Sequence, residues 1–126
     1  MSVVDGAASS AAEVAVQARA SAAAAGIAEK AWTIPERFVE QRYTSVMHGV
    51  GMHGETPFIA HAMDFATYGR NGHLEPGMVV SVESYIGEKG GPEGVKLEEE
   101  VLVTDDKGPV ILSRYPYDED LLRPEM

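Results

Sequence analysis

Helix-forming and strand-forming residues are segregated along this chain, and that separation most restricts how it can fold. Alanine and other strong helix formers dominate from Ala7 to Trp32. Strand-type runs come later, at Met78–Ile86, Val95–Thr104 and Val110–Leu112. Helices first and strands after predict an α+β fold, with N-terminal helices packed on an antiparallel sheet. Within the first zone, Ser10-Ala11-Ala12-Glu13 has the form of a capping box, and Gly26 is expected to weaken or end the helix. Thr33-Ile34-Pro35-Glu36 opens a second, shorter helix that puts Phe38, Val39, Arg42 and Tyr43 on one side. Met47 to Pro57 is rich in glycine and histidine, and the stretch from there to Asn71 reads as loop. Glu75-Pro76-Gly77 suits a type II turn, with Gly77 at the position that needs positive φ. Asp105 to Gly108 turns the chain again, and the acidic tail from Tyr115 to Met126 is expected on the surface.

The 126 residues allow one domain with a modest core. Without a single cysteine, disulfides, thiolate zinc sites and cysteine nucleophiles are all excluded. Any metal ion must therefore be held by His, Asp or Glu, which favours harder or borderline ions. The formal net charge of −10 repels phosphate backbones and anionic lipids, so neither nucleic acid nor a membrane is an expected partner. Metal cations and cationic substrates suit it better, although surplus acid often serves solubility alone. The alanine-rich start has no basic leader, and Asp5 and Glu13 interrupt it, so we read it as a cytoplasmic helix.

Two carboxylates stand out on the predicted strands. Alternation puts Glu83 on one face with Val79, Ser81 and Tyr85. A carboxylate there is costly to bury unless a cation or hydrogen bonds compensate. On the next strand Glu98 shares a face with Lys96 and Glu100, while Glu99 lies opposite with Leu97. Alternation does not choose between them, and a cross-strand pair with Lys96 accounts for such charge equally well. Upstream, His48-Gly49-Val50-Gly51-Met52-His53-Gly54-Glu55 combines imidazoles, a carboxylate and glycines that permit close approach.

Taken in order, His48-Gly49-Val50-Gly51, Glu75-Pro76-Gly77-Met78-Val79-Val80-Ser81-Val82-Glu83 and Gly94-Val95-Lys96-Leu97-Glu98-Glu99 resemble the C-terminal half of the pita-bread metallopeptidases. That family holds Xaa-Pro aminopeptidases, prolidases, methionine aminopeptidases and creatinases. The likeness divides the chain into an Ala-rich helical extension, residues 1–25, and a half-domain, residues 26–126. It implies two divalent metal ions (manganese, cobalt, zinc or iron), held by two aspartates, one histidine and two glutamates. Matched motif to motif, His48, Glu83 and Glu98 are the implied metal ligands in this chain. The implied chemistry is metal-activated water attacking a peptide carbonyl, with Glu83 handling the proton. A peptide or other small substrate and a homodimer are the implied partners.

Two departures qualify the likeness. Only the Ala-rich helix precedes Trp32, with Asp5 isolated in it, so the aspartate pair is missing and the chain reads as a truncated or divergent member. Weak metal binding and little independent catalysis follow. The peptidases also carry a proton-donating histidine seven residues after the ligand, where this chain has Glu55. A carboxylate there is similar to a branch that includes dimethylsulfoniopropionate lyases, although that branch has an aspartate base where Gly54 stands. His53, two residues early, and His61 are the imidazoles left to serve as proton donors. A carbon–sulfur lyase and a non-catalytic peptide-binding module are thus the alternatives to hydrolysis.

Overall fold

The computed structural model describes residues 18, 22–105 and 107–118. The capping box at Ser10–Glu13 lies outside them. Helix α1 runs Ala24–Lys30 and α2 Glu36–Val39; strands β1 (Ser45–Val50) and β2 (Gly54–Ala60) follow. A 3-10 turn at Ala62–Asp64 and a short α3, Phe65–Tyr68, lead to β3 (Val79–Gly87), β4 (Gly94–Leu102) and β5 (Val110–Ile111). The strands form one antiparallel sheet in the order β2-β1-β3-β4-β5, so the fold is α+β as expected.

Alternation sorts the sheet into two faces. Val80, Val82 and Ile86 of β3 are buried, and Met47 and Val101, their neighbours across the ladders, are buried with them. Ile27 and Ala28 of α1 close this core with Val46, Ile59 and Leu74. A second cluster joins Phe38 and Ile34 to Ile86 under Trp32, Val95 and Leu97. Burying side chains of this size contributes roughly 1.5–3 kcal/mol each. The opposite face carries His48, Ser81, Glu83, Tyr85, Lys96, Glu98 and Glu100, which the ladders place side by side.

Several local expectations are corrected. Gly26 does not end α1 but sits inside it, because neighbouring Ile27 and Ala28 are anchored in the core. Thr33 does not cap α2; Pro35 occupies the cap position without a side-chain bond, and Arg42 and Tyr43 lie beyond the helix. The stretch from Pro57 to Asn71, expected as loop, holds the second half of β2, the 3-10 turn and α3, and the glycine- and histidine-rich segment before it folds into the β1–β2 hairpin. Its register slips between His48 and Gly49, beside Thr56 and Pro57, and Pro57 is tolerated because β2 is an edge strand. The turn at Glu75 is as expected, with Met78 N–H donating to the Glu75 carbonyl at 3.1 Å and Gly77 at φ 87°.

Candidate functional site

The polar face of the sheet gathers three side chains singled out in the sequence. His48 pairs with Ser81, two residues from Glu83 on the same face, and Glu83 stands directly across from Glu98. His48 Nε2 lies 2.9 Å from Glu83 Oε1. Nδ1–H of the same ring donates to the Gly49 carbonyl at 2.8 Å. With Nδ1 turned to the carbonyl, Nε2 is the ring nitrogen that faces Glu83. A backbone carbonyl on one ring nitrogen is also the arrangement that orients a metal-binding imidazole.

The carboxylates are held by an internal cation. Lys96 Nζ hydrogen-bonds Glu98 and lies 3.7 Å from Glu83 Oε1. Its ammonium also sits 4.9 Å from the centre of the Tyr43 ring, which stacks on Tyr85. The hydrogen bond from Lys96 holds Glu98 below the usual carboxylate range, helped by a bond with Glu83 and opposed by desolvation. The same bond to Glu98 raises Lys96 above its ordinary value. Glu83 is 8% exposed, whereas the Glu98 side chain is 46% exposed on the rim.

Among the described residues no three His, Asp or Glu side chains form an assembled metal cage. The chemistry of the donor set, one imidazole and two carboxylates, nevertheless fits a divalent cation. The carboxylates already share a cation in Lys96, which shows that the position suits positive charge. Within this set a second metal ion finds only Glu98. These residues fit one ion.

His53 and Glu55 occupy the other end of the hairpin. Together with His48, Gly54, Thr56 and Phe58 they line a cleft of about 590 Å³. His53 is exposed, and its Nδ1–H donates to the Gly54 carbonyl at 2.7 Å. Glu55 Oε1 accepts the Met52 N–H at 3.2 Å, folding the carboxylate over the turn. Glu83 and Glu98 do not line that cleft, so His48 alone joins the two groups.

His61 belongs elsewhere. It lines a separate cavity of about 240 Å³ with Trp32, Thr33, Ile34 and Met63. Burial pushes its pKa down to about 4, with Asp64 opposing and Arg42 assisting that fall. It is the uncharged imidazole near pH 7, not an imidazolium acid, and it does not line the cleft. Asp64 is buried against Arg42, whose Nε and one terminal nitrogen reach its oxygens at 2.8 and 2.5 Å. Sequence reasoning did not single out Tyr43 or Phe58. Nothing local marks them, since only the folded register brings them to Lys96 and His48.

A profile of Metallopeptidase family M24 matches residues 3–105. The chain therefore belongs to the M24, or pita-bread, metallopeptidase family. Its fold matches X-Pro aminopeptidase from Thermotoga maritima with a TM-score of 0.70 at 23% identity, covering 92% of this chain and 31% of that one. Prolidase from Pyrococcus furiosus gives 0.70 at 22%, covering 90% of this chain and 32% of that structure. At such identity these likenesses show the fold alone. Among curated proteins the chain is 44% identical over 87 residues to dimethylsulfoniopropionate lyase DddP of Roseobacter denitrificans, covering 68% of this chain and 19% of that lyase. It is 38% identical over 96 residues to the lyase of the same name from Roseovarius nubinhibens, covering 76% of this chain and 21% of that lyase. The chain thus spans about a fifth of the length of these relatives.

Proposed function

We propose that this chain carries the cation-binding and proton-handling part of a metal-dependent carbon–sulfur lyase acting on a small sulfonium zwitterion such as dimethylsulfoniopropionate. The observation that carries the proposal is Glu55 in the cleft beside His48, where family resemblance gives peptidases a proton-donating histidine. The two lyases at 44% and 38% identity support the same choice. A carboxylate and the Phe58 ring in one cleft favour a soft cation such as sulfonium over a peptide.

In this reading Glu55 removes a proton from the carbon beside the substrate carboxylate. The electron pair left behind forms the carbon–carbon double bond, the carbon–sulfur bond breaks, and dimethyl sulfide leaves acrylate behind. Gly54 stands where the lyase branch has its aspartate, so Glu55 is the carboxylate within reach. His48, Glu83 and Glu98 would hold a divalent cation, which supplies Lewis-acid polarisation of the substrate carboxylate when bound. Turnover by the chain alone is expected to be weak, because this ligand set serves one ion.

Hydrolysis of an Xaa-Pro peptide is the second reading, favoured by the fold match to the aminopeptidase and prolidase. Headspace chromatography with manganese and dimethylsulfoniopropionate, beside proline release from an Xaa-Pro dipeptide, separates the two. Metal-dependent dimethyl sulfide release that Glu55→Gln abolishes supports the lyase. Proline release without dimethyl sulfide returns the peptidase, and neither product with metal bound leaves a binding module.

A further inference from the structure

The Lys96 ammonium pairs with both carboxylates assigned to the metal, and His48 Nε2 meets the same Glu83 oxygen, Oε1. Lys96 belongs to β4 and pairs with Tyr85 across the ladder, which sets its side chain on the same face as Glu83 and Glu98. The Tyr43 ring lies under the ammonium and is itself stacked on Tyr85 at 4.9 Å, with the rings 17° from parallel. The ammonium therefore has the Tyr43 ring on one side and the acidic pair on another.

We propose that Lys96 is a tethered counter-cation for Glu83 and Glu98, and that a divalent ion entering between them must displace its ammonium from the carboxylates, leaving it to the Tyr43 ring it already overlies. The inference rests on the ligand assignment of the proposed function and adds a residue that acts through the ligands. Lys96 is a positioning residue. Three observations carry it. The carboxylates are directly opposed, and like charges opposite each other on neighbouring strands repel unless a cation stands beside them. One ammonium supplies that cation to both. A second positive charge within a few ångströms of it would be strongly repelled in a partly buried site. Lys96 is 38% exposed on its side chain, so it has room to swing aside without opening the core. Tyr43, 4.9 Å from the ammonium, goes on attracting it once it leaves the carboxylates.

The consequence is an exchange: the site is neutralised by lysine when metal is absent and by metal when lysine withdraws. Cation affinity is then lowered by the competitor, as any ligand's is when another species must leave first.

The test uses metal alone. Manganese binding is followed by calorimetry in the wild-type chain and in Lys96→Met, Lys96→Arg and His48→Ala. In parallel, the Lys96 ε-methylene and Tyr43 ring resonances are followed by NMR during a zinc titration, which needs no variant. Lys96→Met is expected to bind manganese about tenfold more tightly than wild type, and Lys96→Arg to stay near wild type. The Lys96 and Tyr43 resonances are expected to move together with those of His48 as zinc is added. If His48→Ala loses the metal while Lys96→Met gains nothing, and Lys96 resonances stay fixed under zinc, the exchange is overturned and the ligand assignment survives. If His48→Ala binds as wild type does, the ligand assignment fails, and this inference goes with it.

Discussion

Glu83 and Glu98 face each other directly across β3 and β4, and the Lys96 ammonium pairs with both. Like charges in this arrangement cost the sheet stability unless a counter-charge is present. A chain built for its sheet alone has little reason to keep both carboxylates. The pair therefore ties the stability of the metal-free sheet to the same groups proposed to bind the cation.

Removing the counter-charge should expose that cost. Lys96→Met is expected to lower metal-free stability by about 0.5–1 kcal/mol, a modest figure because Lys96 and Glu98 are well exposed and screened. That corresponds to a melting temperature lower by roughly 2–6 °C. Adding Glu98→Gln to Lys96→Met should recover most of the loss, since one of the opposed charges is gone. Thermal melts of the two single variants and the double variant check this. Additive losses would show that Lys96 contributes only its packing on Tyr43.

A second ion pair should behave differently because it is buried. Arg42 grips Asp64 with two nitrogens and donates a third bond to the Val39 carbonyl at 2.5 Å. The Arg42 and Asp64 side chains are 21% and 8% exposed. Asp64→Asn or Arg42→Met alone should cost roughly 2–4 kcal/mol, because each leaves a partner desolvated and uncompensated. The double variant should cost clearly less than the two single losses together. Urea titrations of the four proteins give the coupling directly.

Two glycines make opposite predictions. A Cβ on Gly49 would meet the Thr56 carbonyl oxygen at 2.3 Å, so Gly49→Ala must push β2 away where the hairpin register slips. A loss of roughly 1–3 kcal/mol is expected, with displacement of His48 read as altered imidazole resonances. At Gly26, inside α1, an added Cβ meets nothing within 4 Å. Gly26→Ala should therefore stabilise the chain by about 0.5–1 kcal/mol. A loss at Gly26 would mean that α1 is not helical there in solution.

The strands carrying Glu83 and Glu98 were legible because β-branched residues alternate with small or charged ones, and alternation alone gives their faces. The face shared by Glu83 and Tyr85, and that shared by Lys96 and Glu98, emerged from spacing. The β1–β2 hairpin was hidden for the opposite reason. Gly49, Gly51, Gly54 and Pro57 are loop signals locally, yet a proline is compatible with an edge strand and Gly49 is required by close backbone approach. Helix α1 misled through Gly26, whose propensity is overridden by the burial of Ile27 and Ala28. Contacts that join distant segments, such as Lys96 on Tyr43 and Arg42 on Asp64, leave no periodic trace. They exist only once the register is set.

His61 should make stability depend on acidity in a defined window. Its ordinary pKa of 6.5 falls to about 4 in the folded chain, chiefly because burial disfavours the imidazolium. Between those values the unfolded chain binds a proton that the folded chain refuses. Stability therefore rises with pH across the window, is fully present above 6.5, and is lost as pH falls towards 4. From neutral pH down to about pH 4.5 this one residue should remove roughly 2–3 kcal/mol. Other carboxylates titrate nearby, so the comparison must be made against His61→Gln, which keeps a polar side chain but has no proton to gain. Urea titrations at both pH values should show wild type losing more than the variant by that amount. Equal losses would mean that His61 is charged in the fold, with Asp64 outweighing its burial beside Trp32 and Ile34.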